Sequence, residues 1–401
     1  MTHMSSHPPE SLRVRFGKIT WMNLVVCLAL FLVSVYGSHV DVFQRMSFVV
    51  LDKLVRRFND TSRYTTLVLV SPKARGDTTF GYPLRPDRLL TLIEAADAAG
   101  AAVIGVDFLT DDTTRYASVD EPSTRAPIVW VMRPSPDEEL VPLNPLGNRA
   151  LLRGIAGLSM VGVDVDNVQR RYRAYEESGK SLYVSFARAV ATAWCLQGGA
   201  RPLGPAKGPC VFTHADSTSE LIVLNEGVAS TDVVDALDLL RAYERRHDTT
   251  AAWDVISGKL KGRIVLLGGV DPEDKHIAPD RSVDGVLLQS RMIESELQGG
   301  FLREAPGGVE KGVKFGLALF LMVAYVVWSP AMAALIVVGV FLAVVGIATN
   351  PSLATGYWLN PLPLTVGIFF EMWFEGHFGH QVAERLGPLG KLFRPLWPPI
   401  G

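Results

Sequence analysis

Three stretches without a charged residue constrain this chain more than any other feature of its sequence. They are Ile19–Gly37, Phe315–Thr349 and Ser352–Phe370. A membrane-spanning helix needs about 20 apolar residues, so the first and last stretches each suit one helix. The middle stretch is long enough for two short helices with a turn at Ser329–Pro330, because proline interrupts a helix. The sequence therefore predicts four transmembrane helices, at residues 19–37, 312–329, 331–349 and 352–370.

Basic residues mark both ends of this set of helices as cytoplasmic. Before the first helix stand Arg13, Arg15 and Lys18, and after the last stand Arg385, Lys391 and Arg394. Short cytoplasmic flanks are enriched in Lys and Arg. We therefore expect a cytoplasmic N-terminus at 1–18, an exported segment at 39–311 and a cytoplasmic tail at 371–401. Two alternatives stay open: a cleaved signal peptide in place of the first helix, and one tilted, kinked helix with a re-entrant segment near the C-terminus.

The charge balance excludes several classes of protein. The chain has 39 Lys and Arg residues against 41 Asp and Glu residues, a formal net charge of −2. A basic nucleic-acid-binding protein is therefore excluded, and we expect no nucleic-acid partner. Only 20% of the residues are charged, and all of them lie outside the three apolar stretches. A soluble domain tied to a lipid bilayer fits this distribution, whereas a cytosolic enzyme, a fibrous protein or a disordered chain does not.

Strand and helix patterns alternate along the exported segment. A predicted stalk helix at Asp41–Phe58 comes first. Apolar runs then predict buried strands at Thr65–Val70, Ala101–Asp107, Pro127–Met132, Gly157–Val163, Leu221–Leu224 and Arg263–Gly268. Helical patterns occur at Pro86–Ala99, Ser181–Trp194 and Val286–Gln298. This alternation predicts a layered α/β domain with a mostly parallel sheet, in addition to the four transmembrane helices.

Acidic residues follow several of the predicted strands, at the edge where α/β sheets bind ligands. Carboxylates in that position suit a cation or a basic group. The alternative is structural, because an Asp after a strand often caps a helix or binds the amides of a turn. A nearby arginine, Arg85, is expected to pair with one of these carboxylates. The candidate ligand-binding residues are Arg85, Asp107, Asp164, Asp166, Asp271 and Asp274.

No pattern of a catalytic centre is complete in the sequence. Gly179-Lys180-Ser181 is similar to the end of a phosphate-binding loop, but Ala174 stands where the first glycine belongs. His377 and His380 lack a third ligand for a metal. The tail at 371–401 is also shorter than a catalytic domain, which is typically at least about 50 residues long. We therefore expect no enzymatic activity, no cofactor and no metal.

The order of the elements and several short motifs resemble the second class of the CHASE sensor family, the extracellular sensory domains associated with cyclases and histidine kinases. The similar segments are Pro83-Leu84-Arg85-Pro86, Ala99–Asp107, Gly162-x-Asp164-x-Asp166 with Arg170 and Arg171, Lys261–Gly268, and Asp274 to Gly299. Three segments depart from the family pattern. This chain has Gly81–Arg85 in place of an aromatic-rich run, Gln289-Ser290 in place of His-Ala, and Asp166-Asn167 in place of Asp-Gly.

The resemblance implies an extracytoplasmic sensor anchored in a bacterial inner membrane, with its large domain in the periplasm or outside the cell. Such a protein binds an unknown ligand or envelope partner and relays the change to a separate protein. A scaffold subunit of an envelope complex is the alternative. Small residues on the predicted spans, among them Gly316 and Gly339, favour a homo-oligomer or a complex with a partner membrane protein. A disulfide between Cys195 and Cys210 is left open.

Overall fold

The computed structural model describes a defined set of residues in this chain. These are 32, 36, 44–45, 47–49, 51–52, 64–77, 84–108, 122–132, 156–159, 164, 166–178, 181–198, 221–223, 232–248, 250–270, 274–279, 281–298, 301–304, 306–327, 335–336, 338–340, 342–343 and 357–358. The chain divides into one unit of Val55–Arg303 and another of Met1–Leu54 with Glu304–Gly401. The first unit carries the candidate residues.

The strands and helices follow in chain order. The strands are β1 (Thr65–Val70), β2 (Val103–Asp107), β3 (Ile128–Met132), β4 (Ala156–Leu158), β5 (Arg171–Tyr172), β6 (Tyr175–Ser178), β7 (Ser181–Val184), β8 (Leu221–Val223), β9 (Val233–Asp235), β10 (Ile264–Gly269), β11 (Lys275–Ile277), β12 (Ser282–Asp284), β13 (Phe301–Glu304) and β14 (Tyr357–Trp358). The helices are α1 (Pro72–Gly76), α2 (Pro86–Ala98), α3 (Phe186–Leu196), α4 (Ala236–Glu244), α5 (Thr250–Leu260), α6 (Gly285–Gln298) and α7 (Gly307–Val327).

The centre of the first unit is a six-stranded sheet in the order β4-β3-β2-β10-β1-β9. Every neighbouring pair in it is parallel. Parallel strands are buried on both faces, which is why the apolar runs of β1, β2 and β10 carried such a clear signal. The predicted mostly parallel α/β sheet is therefore confirmed. Strands β13, β8 and β5 form a separate antiparallel group, and β6–β7 and β11–β12 form hairpins.

Helices cover both faces of the large sheet. Alternate residues of a strand point to opposite faces, and β1 shows the division: Val68 and Val70 pack in the core beneath α2, α4 and the end of α5. Leu67 packs in the other core, beneath α3 and α6. The unit thus has three layers, with the sheet in the middle.

Two neighbouring strands send the chain to opposite faces. Strand β1 is followed by α1 and then α2, on the first face, whereas β10 is followed by the β11–β12 hairpin and then by α6, on the second face. The two strands are hydrogen-bonded neighbours over their whole length. Divergence of this kind opens a crevice at the carboxyl ends of the strands, where α/β proteins bind ligands. The structure therefore directs attention to the carboxyl ends of β1, β10 and β2.

One predicted helix was wrong over its first residues. The segment Ser181–Trp194 was expected to be a single helix, but its first four residues form β7, which pairs with β6 in a hairpin. Helix α3 begins only after Ser185, whose side chain accepts a 3.2 Å hydrogen bond from the Arg188 amide. A serine in this position caps the free amides of the first helical turn. Hairpin pairing and the cap together place the start of the helix five residues later than predicted.

The predicted stalk and membrane segments fall largely on undescribed residues. Within Asp41–Phe58, residues 44–45, 47–49 and 51–52 are described, and all are helical. Most residues of the four predicted spans lie outside the described part of the chain. In the part that is described, no helix has both the length and the apolar character needed to cross a membrane. Helix α7 carries exposed apolar side chains, Val309, Val313, Phe315, Leu319 and Phe320.

Candidate functional site

Asp107 is the last residue of β2, at the carboxyl edge of the sheet. Its side chain points to the face covered by α3 and α6, and its neighbour on β10 is Gly268. The side chain is partly buried, and no hydrogen bond to it is present among the described residues. Burial and the negative charge of Asp274 raise the pKa of Asp107 to about 7, against the opposing effect of His276. Asp107 is thus an acid that changes its charge near neutral pH.

His276, on β11, joins the segment around Asp107 to a second part of the chain. Its Nε2 lies 2.9 Å from Asp274 Oδ1, and its Nδ1 lies 2.8 Å from Nε2 of Gln169. A carboxylate accepts and an amide nitrogen donates, so these partners assign the proton of the neutral ring to Nε2. A backbone hydrogen bond joins the same two segments, because the backbone amide of Gln169 donates to the Ile277 carbonyl at 2.7 Å. The imidazole ring therefore holds the β11–β12 hairpin against residues 168–169.

Asp274 lies against the first turn of α6. A Cβ added to Gly285, the first residue of α6, would be 2.5 Å from Asp274 Oδ2. Only glycine leaves room for the carboxylate in that position. Carboxylates are favourable near the N-terminus of a helix, where the free amides carry partial positive charge. Across the hairpin, Lys275 Nζ lies 2.6 Å from Asp284 Oδ1, so the residue preceding α6 is held as well.

Asp164 and Asp166 form a cluster of their own with two arginines. Arg170 is buried and binds Asp166 through two nitrogens, at 2.9 and 3.0 Å, and Asp164 at 3.2 Å. Arg171 Nε also binds Asp164. Burial raises the pKa of Asp166, but the hydrogen bonds and charge of Arg170 outweigh burial, so this pKa lies below its ordinary value. Both carboxylates are thus engaged by the protein.

The turn that joins these carboxylates has a left-handed residue, Asn167, with φ of 63°. The Asn167 amide donates to the Asp164 carbonyl at 2.9 Å, and the Val168 amide donates to Asp166 Oδ1 at 3.2 Å. Asparagine tolerates this conformation better than other non-glycine residues. Among the described residues, no group of three His, Cys, Asp or Glu side chains is arranged to hold a metal ion.

Comparison with known families places this arrangement in context. The family model of the CHASE2 domain matches residues 25–332, which is more than half of the chain. The chain belongs to the CHASE2 domain family. CHASE2 domains are sensor domains, which supports a sensory role for this protein. A search among curated proteins found no match, and a search among solved structures found none either.

Within this CHASE2 domain, the predicted residues divide into three groups. Asp107 and Asp274 act on each other's charge and share His276 as a neighbour. Asp164 and Asp166 bind arginines, and Gln169 connects them to the first group. Arg85 pairs with Asp87 beside it, through two contacts of 3.0 Å. The sixth residue, Asp271, lies outside the described residues. The sequence had indicated neither Gln169 nor Gly285 as part of the site.

The departure from the family pattern at Asp166-Asn167, where the family has Asp-Gly, has a physical explanation. The position after Asp166 needs a left-handed backbone, with φ of 63° in this chain. Glycine reaches this conformation without strain, and asparagine is the best of the other residues. The replacement in this CHASE2 domain therefore preserves the turn and the hydrogen bond to Val168.

Proposed function

We propose that this CHASE2 protein is a membrane-anchored extracytoplasmic sensor. It binds a ligand or an envelope partner through the exported unit and relays the change to a separate cytoplasmic or membrane protein. The proposal includes the four transmembrane helices at 19–37, 312–329, 331–349 and 352–370, and a bacterial inner membrane with the large domain on its outer side. Family membership and the uncharged stretches support it.

Two further observations are consistent with export and anchoring. Cys195 is disulfide-bonded, and disulfides persist in oxidising compartments outside the cytosol. The exposed valine, leucine and phenylalanine side chains of α7 lie just before and within the second predicted span. Exposed apolar surface of this kind is costly in water and is typical of contact with lipid or with another protein.

The observation that carries the ligand site is the partly buried Asp107 at the carboxyl edge, next to Asp274. No described residue donates a hydrogen bond to the Asp107 carboxylate, and half of the Asp274 side chain is exposed. Gln169 adds a buried acceptor, Oε1, that has no donor among the described residues. Acceptors of this kind need donors, and two carboxylates favour positive charge. We therefore assign the ligand to a chemical class, a group that carries an ammonium or a similar cationic donor.

A thermal-shift measurement on the full chain in lipid nanodiscs tests this ligand class. The probe is spermidine, added at about pH 8, where Asp107 is largely ionised. A ligand at about 100 times its Kd stabilises the folded state by about 2.7 kcal/mol, so the melting temperature should rise. Asp274→Asn should remove most of the rise, whereas Asp254→Asn, an exposed carboxylate on α5, should keep it. Equal shifts in the two variants would contradict the site.

Reporter fusions test the anchoring independently. A reporter inserted after Ser217 should be active only outside the cytoplasm, and one placed after Gly401 only inside. Opposite results at either position, or an odd number of membrane crossings between the N-terminus and Gly401, would contradict the four-helix topology. A sound topology without any ligand effect at the carboxyl edge would favour a scaffold over a sensor.

A further inference from the structure

Helix α6 buries polar side chains around most of its circumference. Gln289, Ser290, Arg291, Glu294, Ser295 and Glu296 are each no more than 5% exposed. A helix that covers a sheet usually buries an apolar stripe and exposes its polar residues. Polar contacts inside a protein must be satisfied individually, and they rearrange in discrete steps rather than continuously. The composition of α6 therefore points to a role beyond covering the sheet.

The first turn of α6 lies beside Asp107. Asp107 neighbours Gly268 across the sheet, and a Cβ added to Gly268 would be 2.5 Å from Val286 Cβ. Gly285, which precedes Val286, carries the Asp274 carboxylate against its Cα. The start of α6 is thus in direct contact with Gly268, which neighbours Asp107, and with the carboxylate of Asp274, whose charge acts on Asp107.

Glu294, near the other end of α6, holds the beginning of β1. Its Oε1 accepts hydrogen bonds from the Tyr64 amide at 3.0 Å, the Thr65 amide at 2.7 Å and the Thr65 hydroxyl at 2.7 Å. Gln298 donates to the other oxygen at 2.7 Å. The carboxylate is fully buried. From Gly285 to Glu294 the helix rises by about 13 Å, at about 1.5 Å per residue, so α6 links the carboxyl edge of the sheet to its amino edge.

The hydroxyl of Ser295, also on α6, is not explained by the contacts of the described residues. This hydroxyl is completely buried and has no hydrogen-bond partner among the described residues. An unsatisfied buried polar group costs about 1–3 kcal/mol, and such a group in a native structure calls for an explanation. A second position of α6, in which the hydroxyl finds an acceptor, provides one.

We propose that α6 is a two-position coupling helix: the charge on Asp107 selects its position, and Glu294 transmits the change to the first residues of β1. The titratable groups that act on Asp107 in the described structure are Asp274 and His276, both from the segment that leads into α6. The helices on this face present apolar groups to the end of β2 and β10: Phe186 and Val190 lie near Gly105, and Val286 lies near Gly268. Ionised Asp107 therefore repels Asp274, and Asp274 rests on the first residue of α6.

The pKa of Asp107, about 7, places this change of charge within the physiological range. A cationic ligand at the carboxyl edge would act on the same pair of carboxylates. The inference rests on the proposed function only for the role of a ligand, because a change of pH alone is expected to move the helix. Absence of a pH effect would therefore contradict the coupling helix, whereas absence of a spermidine effect would contradict the ligand site.

Hydrogen–deuterium exchange of the full chain in nanodiscs tests the coupling at its far end. The Tyr64 and Thr65 amides both donate hydrogen bonds to Glu294, so their protection from exchange reports whether these bonds are kept. Between about pH 6 and pH 8, after correction for intrinsic exchange, we expect their protection to change about fivefold or more. In Asp107→Asn the change should disappear. In Asp87→Asn, an exposed carboxylate paired with Arg85, it should remain, and peptides of α4 serve as a reference for global opening.

A second variant separates coupling from plain stability. Removing an unsatisfied hydroxyl in Ser295→Ala should stabilise the fold in either case. If α6 has two positions, the same substitution should also reduce the pH response of the Tyr64 and Thr65 amides, because the second position loses its hydrogen bond. An unchanged pH response in Ser295→Ala, a response that survives in Asp107→Asn, or no response in the natural chain would each overturn the proposal.

Discussion

The phenol of Tyr172 donates a 2.6 Å hydrogen bond to the Glu296 carboxylate inside the protein. The same carboxylate oxygen lies 3.1 Å from Arg188 Nε, and Ser185 Oγ lies 2.9 Å from the phenol. The group joins β5, α3 and α6. Burial raises the pKa of Glu296, although Arg188 and Tyr172 act in the opposite direction. Arg188 and Tyr172 therefore offset part of the cost of burying this carboxylate.

Tyr172→Phe should destabilise the protein because it removes a donor from a buried carboxylate. The expected cost is about 1–3 kcal/mol, visible as a lower melting temperature of the full chain in mild detergent. Tyr243→Phe is the matched control, since no hydrogen bond to the Tyr243 hydroxyl is present in the described part of the chain. That change should stay within about 0.5 kcal/mol. Similar losses in both variants would show that the Tyr172 contact contributes nothing specific.

Gly268→Ala should be strongly destabilising, whereas Gly258→Ala should not. The added methyl group at position 268 would lie 2.5 Å from Val286 Cβ, so α6 would have to move away from the sheet. Overpacking of a core costs about 1–3 kcal/mol or more. Gly258 lies within α5 with open space around it, and alanine there should add about 0.5–1 kcal/mol to the free energy of unfolding. Thermal unfolding of the two variants provides the comparison. Changes in melting temperature of the same sign in both variants would contradict the prediction.

The sequence predicted the central strands well because their burial leaves a continuous apolar run. Thr65–Val70 was predicted and found with the same ends, and β10 differs from its prediction by one residue at each end. Helix α2 starts where it was predicted, with proline at its first position, and it ends one residue earlier than predicted, just before Ala99 and Gly100. Gly100 has a φ of 83°. These elements carry their own local signals, so one sequence suffices to find them.

Other parts of the fold could not be predicted so directly. Strand β9 has only three residues and runs directly into α4, so neither element gave a clear pattern in the sequence. The N-cap of α4 is nevertheless a typical one, because the Asp235 carboxylate accepts a 2.9 Å hydrogen bond from the Leu237 amide. The hairpin of β11 and β12 is short and largely polar, so no periodic pattern marks it. The meeting of Asp107 with Asp274 depends on the position of that hairpin, which explains why the candidate site was foreseen only as a set of strand ends.

Asp107 should make stability fall as the pH rises. Because its pKa in the folded protein is about 7, against about 3.9 in an unfolded chain, the folded state holds the proton more tightly. The stabilisation that comes from this tighter proton binding is fully present below about pH 4 and is lost between about pH 4 and pH 7. Above about pH 7 the free energy of unfolding no longer changes through Asp107, and the total loss is at most about 4 kcal/mol. Asp107→Asn removes this dependence, so the variant should gain stability over the natural chain at about pH 8 more than at about pH 5.

Asp166→Asn is the control of opposite sign. The pKa of Asp166 is lowered, so its contribution is present above the unfolded pKa and is lost as the pH falls through the folded one. This variant should therefore be less stable than the natural chain at about pH 8, with a difference that shrinks in acid. Melting temperatures of the full chain across this range test both carboxylates, and a parallel pH dependence of the two variants would contradict the assignment.

Cys195, near the end of α3, should be joined to Cys210 in the exported protein. Cys195 is disulfide-bonded, and of the two other cysteines, Cys27 falls within the first predicted span. A disulfide that closes a loop of about 15 residues stabilises a protein by about 3 kcal/mol. Cys210→Ser should therefore lower the melting temperature, whereas Cys27→Ser should not. Peptide mapping without reductant should find the Cys195–Cys210 linkage, and free thiols at both positions in exported protein would contradict this pairing.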